Sequence, residues 1–208
     1  GLGDVYKRQA EGGNKVTRVI WSPENNELAL VTRRSVVVWN VLTREIITTI
    51  DVEVGQNVTR LSWSPNGDEV AVATRRSVLV WNVVTQEVVS VIDVDAGNSV
   101  TRLTWSPNGN EVAIATRRSV VVWNVVTAEI VTTIDIESGN SVTQLTWSPN
   151  GNEVAVATRS SVIVWNVVTQ QIVANFGTES GSSVTSLVWS PNGLSLIHIS
   201  EPTRLATI

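Results

Sequence analysis

Tryptophan returns along this chain at a fixed interval. Trp21, Trp63, Trp105, Trp147 and Trp189 stand 42 residues apart, and Trp39, Trp81, Trp123 and Trp165 keep the same spacing. The residues between them repeat too. Val58–Ser99 and Val100–Ser141 are identical at 31 of 42 positions, and most differences exchange Val for Ile, Ser for Thr or Asp for Glu. Four full units begin at Val16, Val58, Val100 and Val142; a fifth begins at Val184 and loses the pattern after Gly193. Self-similarity at this period restricts the chain to a repeat architecture, in which each unit buries its apolar surface against its neighbours.

Each unit reads as four short strands. Val58–Trp63 is the first, closed by Ser-Pro-Asn-Gly, where Pro65 presets φ and Asn66 and Gly67 suit the tight positions of a turn. Glu69–Thr74 (EVAVAT) alternates larger and smaller side chains, as a strand packed differently on its two faces should. Arg75-Arg76 turns the chain into the β-branched stretch Ser77–Val83, and a second turn leads into Glu87–Val94. No segment combines a sustained 3.6-residue period with helix caps, so the expectation is all-β. Four antiparallel strands in about 42 residues is the content of one propeller blade.

With five Trp-Ser-Pro and four Val-Trp-Asn occurrences at constant spacing over Val16–Gly193, the chain resembles the WD-repeat β-propeller family. The fold expected is a β-propeller fragment of four-stranded antiparallel blades, four complete repeats plus part of a fifth. Some family features are replaced. The Trp-Asp dipeptide is Trp-Asn at Trp39-Asn40, Trp81-Asn82, Trp123-Asn124 and Trp165-Asn166; no Gly-His precedes the first strand; and Arg stands where the family places Asp in the second-to-third-strand turn. Of the His–Asp–Ser/Thr–Trp network that the resemblance implies, only Thr74, Trp81 and their equivalents remain, so polar groups inside the blades must be satisfied in another way.

Both ends depart from the repeat. One codon choice for Gly1–Gln9 (GLGDVYKRQ) has a reverse complement that encodes LSLIHISEP, which is Leu194–Pro202. Such a pair is expected of a translated sequencing-library adapter read on both sides of a short insert, and such tails are set apart from fold reasoning. Residues 1–9 and 194–208 are therefore read as non-native tails and residues 10–193 as the propeller fragment of a longer reading frame. His198, the only histidine, falls in the second tail and receives no role. Leu194–Ile199 is nonetheless expected to pair as the second strand of the fifth blade. Without Lys7, Arg8, Arg204, Asp4 and Glu201, 12 basic residues face 17 acidic ones. The compartment stays open, the cytoplasm slightly favoured.

Antiparallel connectivity sorts these charges. The first-to-second and third-to-fourth turns share one rim, and the second-to-third turn and inter-blade loop share the other. The first rim collects Glu24, Glu27, Glu45, Asp68, Glu69, Glu87, Glu111, Glu129 and Glu153 against Arg44 alone. The second collects Arg33, Arg34, Arg75, Arg76, Arg117, Arg118 and Arg159, with Arg18, Arg60 and Arg102 at the starts of first strands. Asp51, Glu53, Asp93, Asp95, Asp135, Glu137 and Glu179 interleave with them. Two readings stand. The arginines pair with acidic loop ends and bridge blades, or they form a face for carboxylates and acidic peptides. Interleaved acids and the lack of an exposed aromatic stripe argue against nucleic acid. The tryptophans read as inter-blade core rather than stacking platforms, and the sequon at Asn57 reads as chance.

Catalysis is not expected. The chain has no cysteine, and setting the tail aside removes its histidine, so triads and zinc sites that need those residues cannot form within the repeats. Carboxylates recur equivalently in each unit, whereas a glycosidase needs one distinctive pair. No cofactor or metal is expected, and no run approaches the roughly 18 apolar residues of a membrane helix. The function expected is a non-catalytic scaffold binding a protein or acidic peptide at the arginine rim, with no nucleic acid and no membrane as partners. The alternatives are a sensor or regulatory domain of a larger signalling protein or enzyme, and a purely structural array. Open blade faces are expected to promote self-association.

Overall fold

The computed structural model describes residues 15–23, 26–94, 99–137, 141–177, 182–193 and 196–202, and every regular element among them is a strand. The chain divides into two compact units, Gly1–Ser99 and Val100–Ile208. The first unit holds two blades: β1 (Arg18–Trp21), β2 (Glu27–Val31), β3 (Ser35–Asn40) and β4 (Glu45–Asp51), then β5 (Arg60–Trp63), β6 (Glu69–Ala73), β7 (Ser77–Asn82) and β8 (Glu87–Asp93). In the second, β9 (Arg102–Trp105), β10 (Glu111–Ala115), β11 (Ser119–Asn124) and β12 (Glu129–Asp135) form the third blade. There β13 (Gln144–Trp147), β14 (Glu153–Ala157), β15 (Ser161–Asn166) and β16 (Gln171–Gly177) form the fourth. Each blade is an antiparallel meander in chain order. A hairpin of β17 (Ser182–Trp189) and β18 (Leu196–Pro202) follows, pairing Leu187 with His198 and Trp189 with Leu196. Leu196–Pro202 thus pairs as a second strand, as the pattern from Leu194 to Ile199 suggested.

Local chemistry accounts for each turn. The first is a β-turn in which Gly67 N–H donates to the Ser64 carbonyl at 3.0 Å, with Pro65 inside it and Gly67 left-handed at φ 75°. In the third-to-fourth turn Asn82 does the work that its place in Trp-Asn calls for. Its Oδ1 accepts from Val84 N at 3.0 Å and Thr85 N at 2.8 Å, and Asn40, Asn124 and Asn166 repeat the arrangement. These turns close through left-handed Arg44, Gln86, Ala128 and Gln170. A bulge follows in each third-to-fourth ladder beside the second tryptophan, as at Val80/Trp81.

The alternation in the second strand becomes two unlike faces. In the first unit, Ala29, Val31, Val36, Val38 and Ile50 of one blade share a core with Leu61, Trp63, Val70 and Val72 of the next. In the second unit, Ala113, Ala115, Val120, Val122 and Ile134 do the same with Trp147, Val154 and Val156. A face kept low by alanine thus receives a face raised by tryptophan. Trp63 also donates through Nε1 to the Ile20 carbonyl across the blades, at 3.4 Å. Trp63, Trp105 and Trp147 are each 6% exposed, in keeping with the core reading. Trp21 departs from it at 59% exposed, because among the described residues no blade face covers it.

The equivalents should therefore respond differently to the same change. Trp63→Ala is expected to cost about 3–5 kcal/mol by urea denaturation, and Trp21→Ala no more than about 0.5 kcal/mol. Equal losses at the two positions would contradict the packing described.

Candidate functional site

The second-to-third-strand turns are built from Thr-Arg-Arg-Ser. Thr74 Oγ1 accepts from Arg76 N at 3.2 Å and Ser77 N at 3.1 Å, donates to the Ser77 carbonyl at 3.2 Å and meets Ser77 Oγ at 3.2 Å. Thr32–Ser35 and Thr116–Ser119 form the same clamp, and Thr158–Ser161 keeps it although Ser160 replaces the second arginine. The threonine is buried while the arginines between the clamp residues are exposed. Carbonyls of these turns also anchor the loop that leaves the same blade. Val52 N donates to the Arg34 carbonyl at 2.9 Å, Val94 N to Arg76 at 2.7 Å and Ile136 N to Arg118 at 2.7 Å. The turns are therefore fixed, and their guanidinium groups project from a rigid base.

The ten arginines separate into two groups. Arg18, Arg60 and Arg102 act within the scaffold. Arg18 Nη2 donates to the Thr59 carbonyl of the next blade at 2.7 Å, and Arg60 Nη1 donates to the same oxygen at 2.8 Å. Arg102 Nε reaches Thr143 O at 2.9 Å and its Nη1 reaches Thr101 O at 2.8 Å. The cross-blade bonds of Arg18 and Arg102 run to backbone carbonyls at the starts of first strands, whereas the sequence reading pairs the arginines with acidic loop ends. Burial, and then the Arg60 charge, lower the pKa of Arg18. The remaining arginines sit on the clamped turns. Arg33 Nε donates to Asn57 Oδ1 at 3.0 Å, which gives the sequon asparagine a structural task. The side chains of Arg34, Arg75, Arg76, Arg117 and Arg118 make no hydrogen bond or ion pair among the described residues, and Arg159 is exposed on the fourth turn.

A shallow cleft of about 230 Å³ lies against one of these turns, lined by Glu53, Val54, Gly55, Gln56, Arg75 and Arg76. It joins the loop leaving the first blade to the arginine pair of the second. Gln56 is only 8% exposed; its Nε2 donates to Glu53 Oε2 at 3.4 Å, while its buried Oε1 has no partner. Nothing in the residue-type pattern singled out Gln56. The available signal was its break with the repeat, since Asn98 and Asn140 occupy the equivalent positions.

On the opposite rim, Glu27, Asp68 and Glu69 stand close enough to interact in the first unit. Burial, then the Asp68 charge, raise the pKa of Glu27. Burial raises that of Glu69 as well; a hydrogen bond from Asn82 opposes it and Asp68 adds to it. Glu24, Asp95 and Glu179 lie outside the described residues. Among those described, no three His, Cys, Asp or Glu side chains cluster as metal ligands would. The remnant of the expected buried network is also dissolved: Thr74 is taken up by its turn, and Trp81 Nε1 is buried without a partner, as are Trp39 Nε1 and Trp165 Nε1.

A raised folded-state pKa means that Glu69 holds its proton more tightly when folded than unfolded. Its contribution to stability is present below the ordinary glutamate range and is lost as pH rises through the raised value. Glu69→Gln is expected to raise the urea midpoint at pH 7 and flatten the decline across that window. An unchanged midpoint with the slope retained would contradict this assignment.

Three overlapping stretches, residues 19–96, 61–150 and 129–192, match the family model described as Anaphase-promoting complex subunit 4 WD40 domain. Together they span all four blades and reach β17. No curated protein matches the chain.

Proposed function

Because the chain belongs to the WD40 repeat family, we propose that it is a non-catalytic scaffold whose arginine-bearing turns bind an acidic segment of another protein. WD40 domains generally engage other proteins, and the matching family is itself named for a subunit of a complex. That supports a protein as partner at the level of the fold, while the choice of surface has to come from particular residues. One observation carries it. Arg75, Arg76, Arg117 and Arg118 are exposed on clamped turns, and their guanidinium groups have no intramolecular partner among the described residues. A planar guanidinium fork matches a carboxylate, and a fixed base reduces the entropy lost when the pair forms.

The bridging role is met elsewhere, by Arg18 and Arg102 on backbone carbonyls. That leaves Arg75, Arg76, Arg117 and Arg118 without a hydrogen bond or ion pair among the described residues to account for their presence. Acidic residues along the same loops, such as Glu53 and Asp93, favour a peptide of mixed character over a polyanion such as nucleic acid. The exposed face around Trp21 and Val19 supports self-association as a second property of the chain.

Replacing Arg75, Arg76, Arg117 and Arg118 together by Ser tests the reading. On an array of acidic peptides and their Asn/Gln counterparts, the parent protein should retain the acidic set in a salt-sensitive manner. The quadruple variant should lose it while its stability changes by less than about 0.5 kcal/mol. Unchanged retention with a fall in stability would sink the proposal and return these arginines to a structural role.

A further inference from the structure

We propose that the cleft between Glu53–Gln56 and Arg75–Arg76 is a subsite for one acidic residue of an extended peptide, Arg75 and Arg76 taking its carboxylate and Gln56 Oε1 a neighbouring backbone N–H. The inference rests on the arginine-turn reading above and assigns it a place and a ligand geometry. Three features converge there. Two guanidinium groups without bonded partners among the described residues stand on one wall. A glutamine buried to more than nine-tenths stands on the other, with an orphaned acceptor oxygen. Between them is a cavity of about 230 Å³, below the roughly 300–1,000 Å³ of pockets for drug-sized ligands and suited to a single residue of a longer chain.

The chemistry of the walls selects the ligand. An orphaned amide oxygen requires a donor, and a peptide carries a backbone N–H beside each side-chain carboxylate, whereas a simple carboxylate anion offers none and dianionic phosphate a single hydroxyl. Glu53 adds negative charge to the rim, so a polyanion meets repulsion where a peptide meets another acceptor for its N–H groups. The residue that follows an acidic side chain supplies its N–H at short range from the carboxylate, which satisfies both walls at once.

Gln56 Oε1 is covered, so the subsite requires the tip, which Gln56 N closes on the Glu53 carbonyl at 3.0 Å, to shift before a donor reaches it. Little packing opposes such a shift at the tip. Val54 is fully exposed, Gly55 has φ 88° with no atom within 4 Å of where a Cβ would lie, and the Gln56–Glu53 side-chain bond is long at 3.4 Å. In sequence the position of Gln56 differs from its equivalents. Asn98 and Asn140, each one methylene shorter, take the equivalent positions of the repeat.

The probe is the blocked peptide Ac-Gly-Ser-Asp-Gly-Ser-NH2, titrated against the full chain by NMR of the Arg side-chain Nε–H and Gln side-chain amide signals. Its Asn counterpart, a form N-methylated after the Asp, and inorganic phosphate serve as comparisons. Arg75→Ser/Arg76→Ser should weaken binding by about tenfold or more, and N-methylation by about three- to tenfold. In Gln56→Met the N-methylated and parent peptides should bind equally, a coupling that a merely destabilised loop would not produce. Three outcomes overturn the proposal. Undiminished binding by Arg75→Ser/Arg76→Ser, with loss in Arg117→Ser/Arg118→Ser, would sink this subsite and leave the broader arginine-turn reading standing. No binding by the parent protein would sink the subsite, and acidic array peptides retained by the parent alone would keep the broader reading. Phosphate bound as well as the peptide, without an effect of N-methylation, would reduce the cleft to a site for simple anions.

Discussion

A blade with one low face and one raised face can bury both only against neighbours of complementary shape. Everything else in this structure follows from that constraint. Alanine at alternate positions of the second strand lowers one face, and tryptophan at the end of the first strand raises the other. Ala29 and Trp63 meet in one core, and Ala113 and Trp147 in another. The second strands, shielded on both faces, are the most deeply buried: Val70, Ala71, Val72 and Ala73 are each inaccessible to solvent. The outer strands alternate instead between buried and exposed residues, as a strand covered on one face must.

With both faces given over to packing, polar chemistry is left to the turns. There the repeat uses side-chain-to-backbone bonds in place of the buried network that the family resemblance suggested. Asparagine closes the third-to-fourth turn, and threonine with serine clamps the second-to-third. The indole N–H groups of Trp39, Trp81 and Trp165 stay without partners, a cost of roughly 1–3 kcal/mol for each fully buried group. Bulk at these positions is evidently worth more to the blades than polar completeness. The clamps have the further consequence that Arg75 and Arg76 are held by their backbones and left free at their guanidinium ends.

The architecture was legible in the sequence because it is periodic. Constant tryptophan spacing and the Val-Ala alternation specify four strands and two unlike faces before any coordinate is known, and the strands differ from that reading only at their ends. Thr74 shows the limit. As a residue type it serves a buried network or a turn equally well, and only the 3.1 Å bond to Ser77 N decides between them. Arg18 and Arg75 share a residue type and a rim in the sequence, yet one donates to a carbonyl of the next blade and the other reaches solvent. That difference depends on where the next first strand begins, which charge sorting does not contain. Gln56 escaped notice for the opposite reason: attention to what repeats passes over the position that does not.

Complementarity between alanine and tryptophan faces is the central claim, and a double-mutant cycle tests it most directly. Ala113→Leu, Trp147→Leu and the combination would be compared by urea denaturation. Each single change is expected to destabilise the chain, the first by overpacking at about 1–3 kcal/mol. The leucine added on one face should partly fill the space vacated on the other, so the double variant should be more stable than the sum predicts by about 1 kcal/mol or more. Additive losses would mean that the two residues do not share a core, and that the blades are held together by something other than the fit of their faces.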